Sequence, residues 1–291
     1  MRIGLFVPCY IDAFFPAVGI ATLELLERFG HEVVYPRDQT CCGQPMANSG
    51  FNAECAATEA LFVRNFSGFD YIVAPSGSCV HHVRDNFDAI EQSPEVTAVR
   101  GRTYEIVEFL YDILKVDAFP WARFPHRVGL HNSCGTLRRL KHAKPSELHE
   151  PFFSKPLDLL SKVADILIID PTFNARKYSN LPFASSLNGS CTNVCPVKIN
   201  IHEQIYAWRR ELVKRHEVPL AKKAAMKAAG ELLSHPAAYR AAIAVADAAL
   251  AHLPRFVIYN GLNAWGKHRE VPHPPKQTFH SWYQANRGGE S

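Results

Sequence analysis

The 291-residue sequence predicts an α/β fold, a parallel-sheet layered domain followed by a mostly helical C-terminal region with an extended tail. Residues 1 to about 170 alternate short apolar β-rich runs with helical patterns, as buried parallel strands and their crossovers do. From Asn200 the pattern becomes helical, and from Pro219 it is Ala-rich. Beyond Pro254 prolines recur and periodicity fades, which predicts an extended arm over 254–291.

The elements follow in order. Arg2 to Val7 is a first strand, stopped at Pro8. Ala17 to Phe29 places Val18, Leu23, Leu25 and Leu26 on one broad helical face, and Gly30 stands where a C-cap belongs. His31 to Tyr35 is a second strand, Asn52 to Phe66 a second helix and Tyr71 to Ala74 a third strand. In Tyr104 to Leu114 the residues Ile106, Val107, Leu110, Tyr111 and Leu114 recur at helical spacing. Arg127 to Leu130 and Ile166 to Ile169 are further strands. Right-handed crossovers bring the C-terminal ends of parallel strands to one edge, so Cys9 and Cys79, each just beyond an apolar run, should meet there.

Val128-Gly129-Leu130-His131-Asn132-Ser133-Cys134 echoes Phe6-Val7-Pro8-Cys9 and reads as a second repeat that stops short. The predicted domains are therefore 1–165 with this truncated repeat, a junction over 166–190, a helical region over 191–253, and the tail over 254–291. Helices are expected over Asn200 to Arg215 and Pro219 to Leu253, broken near His235-Pro236. The tail, with Trp265 and Trp282, either wraps the helical part or docks on a partner chain.

Composition limits the function. The charge of +4, from 32 basic and 28 acidic residues, is too even to argue for nucleic acid. Met1 to Pro8 is too short in its apolar run for a secretory leader, and Ala237 to Leu253 is interrupted by Arg240, Asp247 and His252 before it could span a bilayer. A cytoplasmic protein is expected, with any membrane association peripheral and through a partner. Eight cysteines in that reducing compartment point to metal ligation or redox chemistry rather than to structural bridges.

Cys41-Cys42-Gly43 is the centre of that chemistry, because two adjacent cysteines cannot both face one way on a regular element and belong on a loop that wraps something. Three strands side by side would bring Cys9, Cys41, Cys42 and Cys79 together, and four thiolates suit an iron–sulfur cluster, of the 4Fe–4S kind, or zinc. Cys55 has no partner and reads as a buried small hydrophobe. His81 and His82 follow Cys79 closely, and they read as surface or supporting residues before ligands. Arg138-Arg139-Lys141-His142-Lys144 is a solvated helix face or a docking patch for an acidic partner. Other catalytic signatures are missing: no dinucleotide fingerprint, Walker loop, nucleophile elbow or His-Glu-x-x-His helix occurs.

Cys9, then Gln39-Thr40-Cys41-Cys42-Gly43-Gln44-Pro45, then Pro75-Ser76-Gly77-Ser78-Cys79 resemble the cysteine-rich CCG domain of heterodisulfide reductases and of glycolate oxidase iron–sulfur proteins. The A-type lactate-utilisation iron–sulfur proteins are the nearest of these. The family pattern ends in Cys-x-x-Cys, and here Ser76 stands at the first of that pair. Leu181 to Leu187, Cys191-Thr192-Asn193-Val194-Cys195-Pro196-Val197-Lys198-Ile199 and Trp208-Arg209-Arg210 resemble the last third of the B-type lactate-utilisation protein, with Asn188 where its motif has a cysteine. Cys134, Cys191 and Cys195 are thus a lesser candidate set, which needs a partner chain to complete a cluster. The resemblance implies an iron–sulfur electron-transfer subunit of a multi-subunit L-lactate dehydrogenase, non-catalytic itself, working with the other subunits of a lactate-oxidising complex. The alternative is a zinc-binding or metal-free assembly module derived from a degraded or fused electron-transfer subunit.

Overall fold

The computed structural model of the chain describes residues 1–130, 136–137, 139–144, 153–169, 201–214, 218–252, 254 and 274–287. The N-terminal part opens with β1 (Arg2–Leu5), α1 (Cys9–Phe14), α2 (Pro16–Arg28), β2 (Glu32–Val34) and α3 (Gln44–Asn48). A short 3-10 turn, Ala53–Cys55, leads into α4 (Ala56–Phe66), followed by β3 (Tyr71–Ala74), α5 (Gly77–Asn86), α6 (Pro94–Gly101), β4 (Thr103–Glu105) and α7 (Ile106–Glu108), which widens into a π turn over Phe109–Ile113. The four strands form one sheet in the order β2-β1-β3-β4, and every pair in it is parallel.

Alternation along the strands fills both faces, as the pleat requires. Ile3 and Val73 pack with Leu26 and Phe109 on one side. Phe6, Ile72 and Ala74 pack with Phe62, Phe66 and Val80 on the other. The predicted α/β layers are present, and the strands after Arg2, His31 and Tyr71 lie within a residue or two of the expected places.

The sequence does not single out α5, α6 or β4. The helical spacing from Tyr104 onward hides a strand, Thr103–Glu105, whose last residue also caps the helix that follows. The Glu105 carboxylate accepts from the Val107 amide at 2.7 Å, and Glu108 reaches back to the Glu105 amide at 3.3 Å.

β5 (Arg127–Gly129) and β6 (Leu167–Ile169), on either side of α8 (Lys155–Ser161), pair in parallel as a separate two-stranded sheet. From Arg139 to Lys144 the basic run is not a helix face. Lys141 has a positive φ of 55°, and His142 is buried next to the bridge between Ala143 and Ser154.

The C-terminal region is helical: α9 (Ile201–Lys214), α10 (Leu220–Ser234) and α11 (Pro236–His252), with the break at His235 where the sequence places it. The tail departs from expectation, because it contains α12 (Phe279–Arg287). That helix faces α11 across a cavity lined by Arg240, Ile243, Asp247, His280 and Gln284. It packs on α1 and α2, and Phe279 and Tyr283 join Leu5, Val7, Ile11 and Leu23 in one core. Nine residues hold three aromatic positions, Phe279, Trp282 and Tyr283, too few for periodicity to stand out behind the prolines. Among the described residues no helix is long and apolar enough to cross a membrane.

Candidate metal centre

Adjacent parallel strands deliver the cysteines. β1 runs into Pro8 and then Cys9, which opens α1; β3 runs into Ser76 and then α5, with Cys79 in its first turn. Between them in sequence, the loop after β2 carries Cys41 and Cys42. Gln39 fixes this loop to the end of β1: its amide donates to the Leu5 carbonyl at 2.9 Å, and its Oε1 accepts from the Val7 amide at 2.8 Å. Gly43 then turns the chain with φ of 87°, a conformation that other residues adopt only with strain, and starts α3.

Cys9, Cys41, Cys42 and Cys79 are thereby brought together as free thiols; Cys41, Cys42 and Cys79 are buried and Cys9 is half-buried. The Sγ atoms of Cys9 and Cys41 lie 3.4 Å apart, and Cys42 interacts with both Cys41 and Cys79. The protonation pattern follows from this crowding. Hydrogen bonds from Cys42 and Cys9, helped by the Gly43 amide, hold the Cys41 thiol well below its ordinary range. The same bonds to Cys41, reinforced by burial, push Cys9 and Cys42 well above theirs. One thiolate supported by protonated neighbours is a set ready to release protons when a cation binds. Among the described residues no group of three or more His, Cys, Asp or Glu side chains is gathered tightly enough to hold a metal ion as it stands.

The surroundings contain Tyr10, which the sequence did not single out, and residues whose roles it left open. Ser76 is buried and accepts a hydrogen bond from the Tyr10 hydroxyl at 3.1 Å. Burial raises the Tyr10 phenol, and its hydrogen bond to Ser76 partly offsets that. His82 is fully buried and meets Phe87 edge to face at 5.5 Å. Desolvation pushes its imidazole down to about 4, so it is neutral. His81 is instead paired with Asp85. Cys55 is buried in the turn before α4, with its Sγ 3.5 Å from the carbonyl oxygens of Gly43 and Phe51; burial drives its thiol up to about 12, as expected of a thiol that only fills space. Cys134, Cys191 and Cys195 lie outside the described residues.

The C-terminal helices cover this loop. Thr40 donates through Oγ1 to the Leu233 carbonyl, and the Tyr239 hydroxyl lies 3.2 Å from Asp12 Oδ2 and 3.4 Å from the Cys9 carbonyl oxygen. Arg209 donates to the Asn48 carbonyl at 2.9 Å. The approach is close enough that a Cβ on Gly230 would stand 2.7 Å from the Glu54 carbonyl oxygen, and one on Gly50 only 2.5 Å from that of Arg209.

Comparison with known proteins agrees with both halves of this architecture. A family model described as "Cysteine-rich domain" matches residues 3–84, and one described as "Lactate utilisation protein B, C-terminal" matches residues 211–287, which takes in α12. The chain is 40% identical over 162 residues to lactate utilization protein A of Geobacillus kaustophilus, spanning 51% of this chain and 67% of that protein. It is 38% identical over 162 residues to the protein of that name from Geobacillus thermodenitrificans, with the same shares of 51% and 67%. Against the Halalkalibacterium halodurans protein the figures are 36% over 167 residues, 56% of this chain and 64% of the relative. The chain thus spans about two thirds of the length of these relatives, and its matched C-terminal part resembles a different protein. No solved structure matches it. With the cysteine loop, the parallel sheet beneath it and identity at this level, the chain belongs to the lactate utilization protein A family, and it carries a C-terminal segment of the lactate utilisation protein B type.

Proposed function

We propose that the protein is an iron–sulfur electron-transfer subunit of a multi-subunit L-lactate dehydrogenase, with Cys9, Cys41, Cys42 and Cys79 as the cluster ligands. The observation that carries this reading is the convergence of four free thiols on adjacent strand ends, with Cys41 held as thiolate by its neighbours. Four thiolates suit an iron–sulfur cluster or zinc, and the match of residues 3–84 to a cysteine-rich domain family, together with the lactate utilization relatives, favours the cluster. When bound, the cluster supplies a one-electron store.

The chain's own residues do the rest. Gln39 and Gly43 hold the loop in register, the Phe6, Phe62 and Phe66 core beneath the thiols keeps water out, and the C-terminal helices close the site from the other side. Lactate would be bound by another member of the complex, in the cytoplasm.

Anaerobic purification tests the reading. A brown protein with broad visible absorption and about four irons per chain is expected, and Cys42→Ser should lose the iron while Cys55→Ala keeps it. A colourless protein holding stoichiometric zinc, or no metal, would instead support an assembly module.

A further inference from the structure

The imidazole of His82 is buried beneath the Cys41-Cys42-Gly43 loop with neither ring nitrogen hydrogen-bonded. The Cys42 backbone interacts with the ring, but without the geometry of a hydrogen bond. Among the described residues His82 is the one side chain with two such orphaned atoms. Two of the other buried side chains bond their second polar atom: Glu59 Oε2 accepts from the Ala89 amide at 3.0 Å, and His280 Nδ1 lies 3.4 Å from the Tyr35 hydroxyl. An imidazole always carries at least one N–H donor. Leaving a buried donor unmet costs the full desolvation of that group, and folded proteins rarely do so. If the position served packing alone, a phenyl ring against Phe87 would fill it without that penalty.

The place of His82 indicates where its partner lies. It sits in α5 one turn beyond Cys79, and its Nε2 is 3.7 Å from where a Cβ on Gly43 would stand. That glycine keeps the space between loop and ring open. Among the groups that interact electrostatically with the ring, the Cys41 thiolate is the first.

We propose that His82 is a positioning residue for the sulfur centre: its ring N–H donates to a ligand thiolate or a sulfide there, fixes the loop, and raises the centre's reduction potential. Hydrogen bonds to the sulfurs are among the factors that set such potentials. The inference rests on the reading of the four cysteines as cluster ligands.

The test compares the full chain with His82→Phe, which keeps the ring volume without a donor, and His82→Asn, which keeps a donor. Each is purified anaerobically and measured for iron content, midpoint potential and pulsed electron paramagnetic resonance. Iron should be retained in both. The His82→Phe potential should fall by the equivalent of at least a tenfold change in the reduction equilibrium, about 59 mV for one electron, and His82→Asn should recover part of it. The wild type should show a weak ring-nitrogen coupling that His82→Phe lacks.

An unshifted His82→Phe potential in an iron-loaded protein overturns the role of His82 while leaving the cluster reading intact. Should His82→Phe fail to fold or load, the wild-type spectrum decides: a ring-nitrogen coupling supports the proposal and its absence overturns it. A wild type without iron overturns the cluster reading, and the inference falls with it.

Discussion

At the scale of residues, the loop rests on a few positions whose exchange has a cost. Gly43 adopts φ of 87°, and a Cβ there would lie 3.6 Å from Cys55 Cβ and 3.7 Å from His82 Nε2. The contacts are tolerable, so the cost of Gly43→Ala is the left-handed backbone, about 1 to 2 kcal/mol. Urea unfolding of the two proteins should show a loss of that size; equal midpoints would mean that the loop relaxes. The cysteines were legible because thiol pairs and strand-end positions survive in one dimension. Tyr10 was not, and the roles of Ser76 and His82, both flagged by their nearness to Cys79, stayed open, since they depend on which strand ends become neighbours. For His82 the sequence left a surface or a supporting place open, and its burial with two unmet nitrogens decides between them.

At the scale of elements, α12 shows how a short helix gains its stability from its dock. Nine residues do not form a stable helix alone. Phe279 is fully buried over α2, where a Cβ on Gly19 would come within 2.6 Å of its ring. A mid-helix glycine normally weakens a helix; here it admits the aromatic ring. Gly19→Val should therefore displace α12, with Trp282 fluorescence shifting to the red and early proteolysis before residue 279. An unchanged spectrum would show that the ring has room to move. Phe279→Ala should cost about 3 to 5 kcal/mol by large-to-small truncation, read by denaturant unfolding. The close approach of α10 offers a parallel case: Gly230→Val drives a side chain into the Glu54 backbone, and Cys42 should then react faster with a thiol reagent in metal-free protein. A rate equal to wild type would mean that the C-terminal helices do not shield the loop.

At the scale of the whole molecule, buried ionisable groups shape the dependence of stability on pH. Burial raises Glu105 from 4.5 to about 8 and Glu59 from 4.5 to about 7. Between those values the folded chain holds protons that the unfolded chain has released, so both groups favour folding most in acid and lose that contribution as pH rises. Burial lowers His142 from 6.5 to about 4, so there the unfolded chain binds the extra proton and stability increases with pH up to 6.5. The two effects oppose each other below pH 6.5. Above it the carboxyls contribute a decline towards pH 8, and the Cys41 thiol, held low in the folded chain, contributes an opposing rise. Glu105→Gln should flatten that decline in thermal unfolding from pH 6.5 to 8; an unaltered slope would show that Glu105 is ionised in the folded chain.

The sequence by itself determined the parallel α/β layer, the helical C-terminal half with its break at His235-Pro236, and the four candidate thiols. Each of these is written in local periodicity or in residue type. Only the tertiary structure decided the strand order β2-β1-β3-β4, the recruitment of α12 into the N-terminal core and the cover of the cysteine loop by α10 and α11. The reason is physical. Those features depend on contacts between residues far apart in the chain, such as Tyr239 with Asp12 and Phe279 with the Gly19 groove, and neither partner signals the other by spacing. The surroundings of Cys41-Cys42-Gly43 come from both ends of the chain, and folding is what brings them together.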